Sequence, residues 1–123
     1  MSVAGRWRIV ETELWDRETL DLVGPAFIEF GEDGSGSFGF IAVEGWMDCR
    51  EAPRDGRPGV EFSWEGSDDC DPASGRGWAV LEDGLLRGRI YFHLGDDSGF
   101  TAVRDNESQP GTSTSPGARR RRR

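Results

Sequence analysis

The sequence predicts an all-β protein, a single antiparallel up-and-down meander barrel of about eight short strands with one short helical turn after the first strand. Three observations predict it. Glycine accounts for 18 of the 123 residues, or about 15%, against a usual share of about 7%. Apolar and polar residues alternate in several short runs, as in half-buried strands. Turn signals that combine acidic residues with glycine separate these runs, at 32–36, 54–56, 82–84 and 95–99.

Eight runs carry the strand pattern, and one segment carries a helix pattern. The predicted strands are, in order, 6–14, 26–30, 37–43, 46–51, 60–65, 77–81, 86–94 and 100–104. After the first run, Asp16 is a typical helix N-cap, and Gly24 followed by Pro25 ends the helical turn. Gly45 leaves the strand count open, because a hairpin turn there gives eight strands and a bulge within one long strand gives seven.

Alternation also predicts which side chains face the interior. Trp7 and Ile9 share one face of the first run with Glu11 and Glu13, and Leu94 continues the inward set of the seventh run. The remaining aromatic residues expected inside are Phe38, Phe40, Phe62, Trp64, Trp78, Phe92 and Phe100. These large side chains could line a ligand cavity or form a solid core. Because the strands are short, we expect a mostly filled interior with a shallow mouth.

The charge distribution separates a strongly acidic body from a basic end. All 15 basic residues are arginine, against 23 acidic residues, and the formal net charge is −8. Five arginines form a run at 119–123; without it, residues 1–118 carry 10 arginines against 23 acidic residues, a balance of −13. Such a body repels nucleic acid and anionic membranes. Residues 105–123 lack apolar periodicity, which predicts a domain at 1–104 and a disordered tail whose arginines bind nucleic acid weakly at most.

The first fifteen residues lack the features of a signal peptide, and no apolar run approaches 18 residues. We therefore expect a cytoplasmic protein in which Cys49 and Cys70 are free thiols. The segment from Asp69 to Gly75 fails as a calcium loop, because the required glycine and glutamate positions hold other residues. The cysteines and the lone histidine lack zinc-ligand spacing. The sequence thus predicts no metal site and no cofactor.

The motif Gly5-Arg6-Trp7 opens the first strand of the predicted meander. It resembles the Gly-x-Trp signature of the calycin superfamily, which includes lipocalins, fatty-acid-binding proteins and avidins. Lipocalins also carry an arginine at the end of the last strand that packs over this tryptophan, and Arg104 stands in the corresponding place. The resemblance implies structural roles for Gly5, Trp7 and Arg104. With eight strands, Trp7 and Arg104 fall at the same end and could meet as a cation–π pair; with seven they would not.

An eight-strand barrel would collect the segments 15–24, 43–46, 67–75 and 95–99 at the end away from Trp7. The candidate ligand-binding residues at this mouth are Trp46, Trp78, Asp68, Asp69, Asp71, His93, Asp96 and Asp97. Clustered carboxylates repel one another until a cation joins them, so a cation or a positively charged small molecule suits this rim. Acidic residues are also common in turns for backbone reasons alone, which is the alternative explanation.

These features predict non-catalytic binding of a small molecule or cation at the acidic mouth, and they assign no catalytic residue. One alternative is a protein-interaction module whose acidic face pairs with a basic partner. A second is a hydrolase that uses surface carboxylates, since Glu11 and Glu13 would lie about 7 Å apart on one strand face. The motifs of serine hydrolases, phosphate-binding loops and dinucleotide sites are absent from the sequence.

Overall fold

Eight antiparallel strands follow one another around a closed barrel in the computed structural model, which describes residues 3–105. The strands are β1 (Gly5–Thr12), β2 (Phe27–Phe30), β3 (Ser35–Phe40), β4 (Val43–Glu51), β5 (Gly59–Asp68), β6 (Asp71–Glu82), β7 (Leu85–Phe92) and β8 (Asp97–Arg104). A one-turn helix, α1 (Arg17–Leu20), follows β1 and is N-capped by Asp16. The predicted fold class is confirmed. The predicted tail lies, apart from Asp105, outside the described residues.

The barrel closes where β1 pairs with β8, and Trp7 lies directly opposite Arg104 in this pairing. The Arg104 guanidinium carbon is 3.9 Å from the centroid of the Trp7 ring, and Arg104 Nη1 donates a hydrogen bond of 2.7 Å to the carbonyl of Ala4. Gly5 has a φ of +117°, and a Cβ there would come within 2.6 Å of Arg104 Nη1. The cation–π contact that an eight-strand count predicts is present, and Gly5 makes room for it.

Aromatic rings fill the interior by lying over glycines of the neighbouring strand. Phe38 pairs directly with Gly45, and Phe62 pairs with Gly77. A Cβ at either glycine would come within 2.4 Å of the opposing phenyl ring. Each ring therefore occupies the space that a side chain on the next strand would take. Part of the high glycine content serves this packing and not turns.

The interior rings also contact one another across the barrel. The centroid of the Trp64 ring lies 5.0 Å from that of Phe38 and 5.3 Å from that of Phe92, both in edge-on arrangements. Phe38 stacks on Phe40 at 5.7 Å. Such offset and edge-on pairs are the favoured arrangements of aromatic side chains. Aromatic side chains thus pack against one another across the core.

Gly45 is neither a turn nor a bulge: the chain forms eight strands, as the hairpin alternative required, but the predicted position of the turn is wrong. It lies within β4 in regular register with Phe38 of β3. The turn between these strands is instead formed by Ile41 and Ala42, with Ile41 at a φ of +56°. The backbone N–H of Ile41 donates to the carbonyl of Leu20, which ties the turn to α1. Gly45 makes room for the Phe38 ring within the sheet. A glycine in this role does not mark a turn, which is why the turn prediction failed.

The hairpin of β5 and β6 is longer than predicted. The expected loop 67–75 is wrong, because both strands continue to a two-residue turn at Asp69 and Cys70. Both turn residues have positive φ, +52° and +77°. Turns of this kind usually contain glycine or asparagine, so the Asp-Cys pair carries no recognisable signal. Asp68 and Asp71 consequently face each other as the last pair of the ladder.

A bulge in β1 changes the face of its last residues. The register with β8 shifts between Ile9 and Glu11, after which Thr12 lies opposite buried Phe100. The expectation that Glu11 and Glu13 share the inward face of Ile9 is therefore wrong, because one extra residue reverses the alternation. Both glutamates are exposed.

Candidate functional site

The barrel has two ends of different character. The end that holds Trp7 and Arg104, called here the closing end, carries the turns between β2 and β3, β4 and β5, and β6 and β7. The opposite end, called here the acidic end, carries the segments 13–26, 41–42, 69–70 and 93–96. Alternate turns of an up-and-down barrel share an end, so an even strand count fixes this division.

The predicted acidic residues lie at the acidic end but do not converge on one point. Asp68, Asp69, Asp71 and Asp96 are exposed there, and the carboxylate of Asp97 pairs with Arg89. Within residues 3–105, no three His, Cys, Asp or Glu side chains come together in a group that could hold a metal ion. The carboxylates therefore form a dispersed negative rim.

Glu13 and Asp97 are held by one arginine at the acidic end. Arg89 Nη2 lies 2.9 Å from Glu13 Oε1, and the same oxygen accepts the backbone N–H of Gly99 at 3.1 Å. The Gly99 hydrogen bond and the Arg89 guanidinium lower the pKa of Glu13. These bonds join the segment after β1 to β7 and β8, so both carboxylates already have a structural partner.

The turn between β7 and β8 presents His93 and Leu94 to solvent. The backbone N–H of His93 donates to the carbonyl of Ser74, while its side chain is exposed. Leu94, expected to face inward, is 95% exposed at a φ of +59°. That expectation is wrong because β7 ends at Phe92, before the alternation reaches Leu94.

The two candidate tryptophans lie apart. Trp46 is on the outer face of β4 near the acidic end, and 66% of its surface is exposed. Trp78 lies farther along β6, opposite Glu61 and Arg89, and the Arg54 guanidinium carbon is 3.9 Å from its ring centroid. The expectation that Trp78 faces the interior near the acidic loops is wrong. The early start of β6, at Asp71, leaves Trp78 far from the turn at 69–70, and the inward-facing neighbours Gly77 and Ala79 place Trp78 on the outer face.

An apolar groove runs along the outer face of β2, β3 and β4 beside Trp46, and we call it the Trp46 groove. Its volume is about 430 Å³. Phe27 and Trp46 lie at its two sides, and Ser37 and Gly39 of β3 lie between them. Its ends are formed by 23–25, 41–42 and 69–70. Among the described residues that line it, the only charged ones are Glu44 and Asp69.

The segment after α1 is fixed beside this groove by hydrogen bonds. Leu20 is fully buried, and its carbonyl accepts the N–H of Ile41 at 2.8 Å. Asp21 Oδ1 accepts the N–H of Ala26 at 2.9 Å, which closes the connection into β2. Gly39 lets the Phe27 ring lie across β3, since a Cβ there would come within 2.9 Å of that ring. The groove is thus shaped by the fold before any ligand arrives.

Ile41 adds strain at the edge of the groove. A β-branched residue with a φ of +56° is a conformational outlier. Such a conformation costs about 1–3 kcal/mol and persists only where the surroundings hold it, often at functional sites. Here the hydrogen bond to Leu20 and packing against the core hold Ile41 in place.

Trp46 and Asp69, predicted from the sequence as candidate binding residues, both line this groove, and the predicted mouth segment 15–24 contributes residues 23 and 24; Pro25, Phe27 and Ile41 were not predicted. The missing signal is three-dimensional, because the stretch 23–27 and Ile41 belong to different parts of the chain that meet only in the folded barrel. The available local signal was Gly39, a glycine within a strand, which often marks close approach of another group.

Comparisons with known proteins assign no family to this chain. Its class is therefore given by its fold alone, a closed eight-stranded antiparallel barrel. No protein-family model matches the sequence, and neither a curated protein nor a solved structure matches it significantly. Within residues 3–105, no helix is long and apolar enough to cross a membrane. Both cysteines are free.

Proposed function

We propose that the protein is a non-catalytic binding barrel that takes a small aromatic or apolar molecule with a positive charge in the Trp46 groove. The observation that carries this proposal is the 66% exposure of Trp46 beside an apolar groove whose charged lining residues are both acidic. A related proposal is that the barrel is of calycin type, which the arrangement of Gly5, Trp7 and Arg104 supports. The ligand class does not depend on that relationship.

The chemistry of the groove favours a cation with an apolar body. A cation over the face of a tryptophan gains about 0.5–1 kcal/mol at an exposed site and about 2 kcal/mol when water is excluded. Glu44 and Asp69 add attraction at the rim. Phe27 and the segment 23–25 supply apolar surface, and the volume suits a small molecule.

The test is a titration with benzyltrimethylammonium, with neopentylbenzene as its uncharged isostere, followed by the indole N–H signals in two-dimensional NMR. We expect the cation to bind more tightly than the isostere and to move the Trp46 signal. Trp46→Ala should abolish binding, and Asp69→Asn should weaken it several-fold, since a nearby charge is lost. The amide spectrum of each variant shows whether the fold is intact.

Trp78→Phe is the matched control, because Trp78 is a second outer-face tryptophan that does not line the Trp46 groove. It should leave the affinity for the cation unchanged. Equal binding by Trp46→Ala and the unmodified protein, or equal affinity for the cation and the isostere, would overturn the proposal.

A further inference from the structure

A second groove lies on the outer face of the barrel across β4, β5 and β6, and we call it the arginine groove. Its volume is about 400 Å³. Arg50, Arg54 and Arg76 line it together with Trp78 and Tyr91. Cross-strand pairing brings these side chains together, since Arg76 lies opposite Tyr91 on one side and Ser63 of β5 on the other.

The three arginines lack the carboxylate partners that neighbouring arginines have. Arg87 Nε lies 3.2 Å from Glu82 Oε1, and Arg89 Nη2 lies 2.9 Å from Glu13 Oε1. Within the described part of the chain, no carboxylate oxygen lies within 4.0 Å of a guanidinium nitrogen of the three groove arginines. Residues 3–105 contain 22 acidic residues and only 10 arginines. Three unpaired guanidinium groups in one groove are unexpected in so acidic a molecule.

Arg54 is held in a position suited to anion binding. Its guanidinium carbon stacks 3.9 Å from the centroid of the Trp78 ring. Stacking fixes the plane of a guanidinium group while its N–H groups, which lie in that plane, stay free to donate. The bridge between Arg54 and Arg57 fixes the backbone of this segment as well.

The charge of the groove favours a monoanion. Asp48 and Glu61 also line it, so the five charged side chains sum to a single positive charge. A phosphate monoester carries about −1.5 to −2 at pH 7, whereas a carboxylate carries −1 and matches the guanidinium fork in a planar, bidentate way. Trp78 and Tyr91 offer aromatic surface for the rest of the ligand.

We propose that the arginine groove binds a small aromatic monocarboxylate, with the carboxylate between Arg50, Arg54 and Arg76 and the aromatic ring against Trp78 and Tyr91. This site is separate from the Trp46 groove, and it takes a ligand of opposite charge.

The experiment uses the full chain and 2-naphthoate as the probe, with 2-naphthamide as the neutral analogue and phenyl phosphate as the phosphate analogue. Binding is followed by the arginine Nε–H and tryptophan indole signals in NMR. We expect naphthoate to bind at least about tenfold more tightly than naphthamide, as charge-assisted bidentate bonds allow. It should move the signal of Trp78 and leave that of Trp46 in place.

Arg76→Gln and Arg50→Gln should each weaken naphthoate binding about tenfold, because each removes a charged donor. Both arginines are exposed, so the substitutions leave the core intact. Arg87→Gln is the matched control, since Arg87 is an exposed arginine of the same sheet that lies outside the groove. Equal affinity for naphthoate and naphthamide, tighter binding of phenyl phosphate, or an equal loss in Arg87→Gln would overturn the proposal. Trp46→Ala should have no effect here, so this test and that of the Trp46 groove can fail separately.

Discussion

The two cysteines occupy opposite environments although both are free thiols. Cys49 lies on the inward side of β4, where burial is the largest cause that raises the pKa of its thiol to about 11, with smaller contributions from Asp48 and Asp33. Cys70 is exposed in the two-residue turn between β5 and β6. The thiolate is the reactive form, so a raised pKa protects Cys49 from alkylation near neutral pH.

We predict that iodoacetamide at pH 8 modifies Cys70 much faster than Cys49. The variants Cys70→Ser and Cys49→Ser isolate each thiol, and intact-mass spectrometry follows the rates. In Cys70→Ser, the rate should keep rising about tenfold per pH unit above pH 8, since the thiolate fraction grows until pH approaches the raised pKa. Similar rates for the two variants at pH 8 would contradict the assignment, and reaction in denaturant shows that both thiols are competent.

Individual strands show how far local sequence patterns determine structure. Alternation placed Phe38, Phe62 and Trp64 in the core because the two-residue period of a strand is a local property. The turns were harder to predict, because residues such as Ile41 and Cys70 adopt positive φ without glycine. Tertiary contacts hold those conformations, and a local pattern does not report them.

The pairing of aromatic residues with glycine gives a prediction for β4. Gly45→Ala should destabilise the protein by about 1–3 kcal/mol, the usual cost of overpacking, because the new Cβ would come within 2.4 Å of the Phe38 ring. Gly24→Ala is the control, since a Cβ at Gly24 meets no atom within 4 Å and its φ is not positive. Urea unfolding followed by fluorescence gives both free energies. A Gly45→Ala variant as stable as Gly24→Ala would show that Phe38 can move aside at little cost.

At the level of the whole molecule, the fold was predictable and the candidate site was only partly so. The fold follows from eight alternating runs, and Trp7 with Arg104 indicated how the barrel closes. The Trp46 groove draws residues from three connections at the acidic end. The arginine groove depends on cross-strand register, which the sequence left open. Both grooves arise from long-range pairing, which one sequence does not encode in any single segment.

Closure of the barrel should depend measurably on Arg104. We predict that Arg104→Met lowers the free energy of unfolding by about 1–2 kcal/mol, because it removes the cation over Trp7 and the bond to the Ala4 carbonyl. Arg17→Met is the control, since the ion pair of Arg17 Nε with Asp21 Oδ2, at 4.0 Å on the surface, is a type of contact with little net effect. Urea unfolding checks both. Equal stability of the two variants would show that strand pairing alone closes the barrel.

The pairing of β1 with β8 also has a practical consequence for attaching this protein to other objects. Val3 and Asp105 lie at the same end of the barrel, and Asp105 still bonds to Arg6 across the closing strands. A fluorophore or a solid support attached at Val3 or Asp105 would therefore sit at the closing end. The turns around residues 41–42, 69–70 and 93–96 would point away from the attachment point. Attachment at either of these two residues thus leaves the acidic end open to solvent.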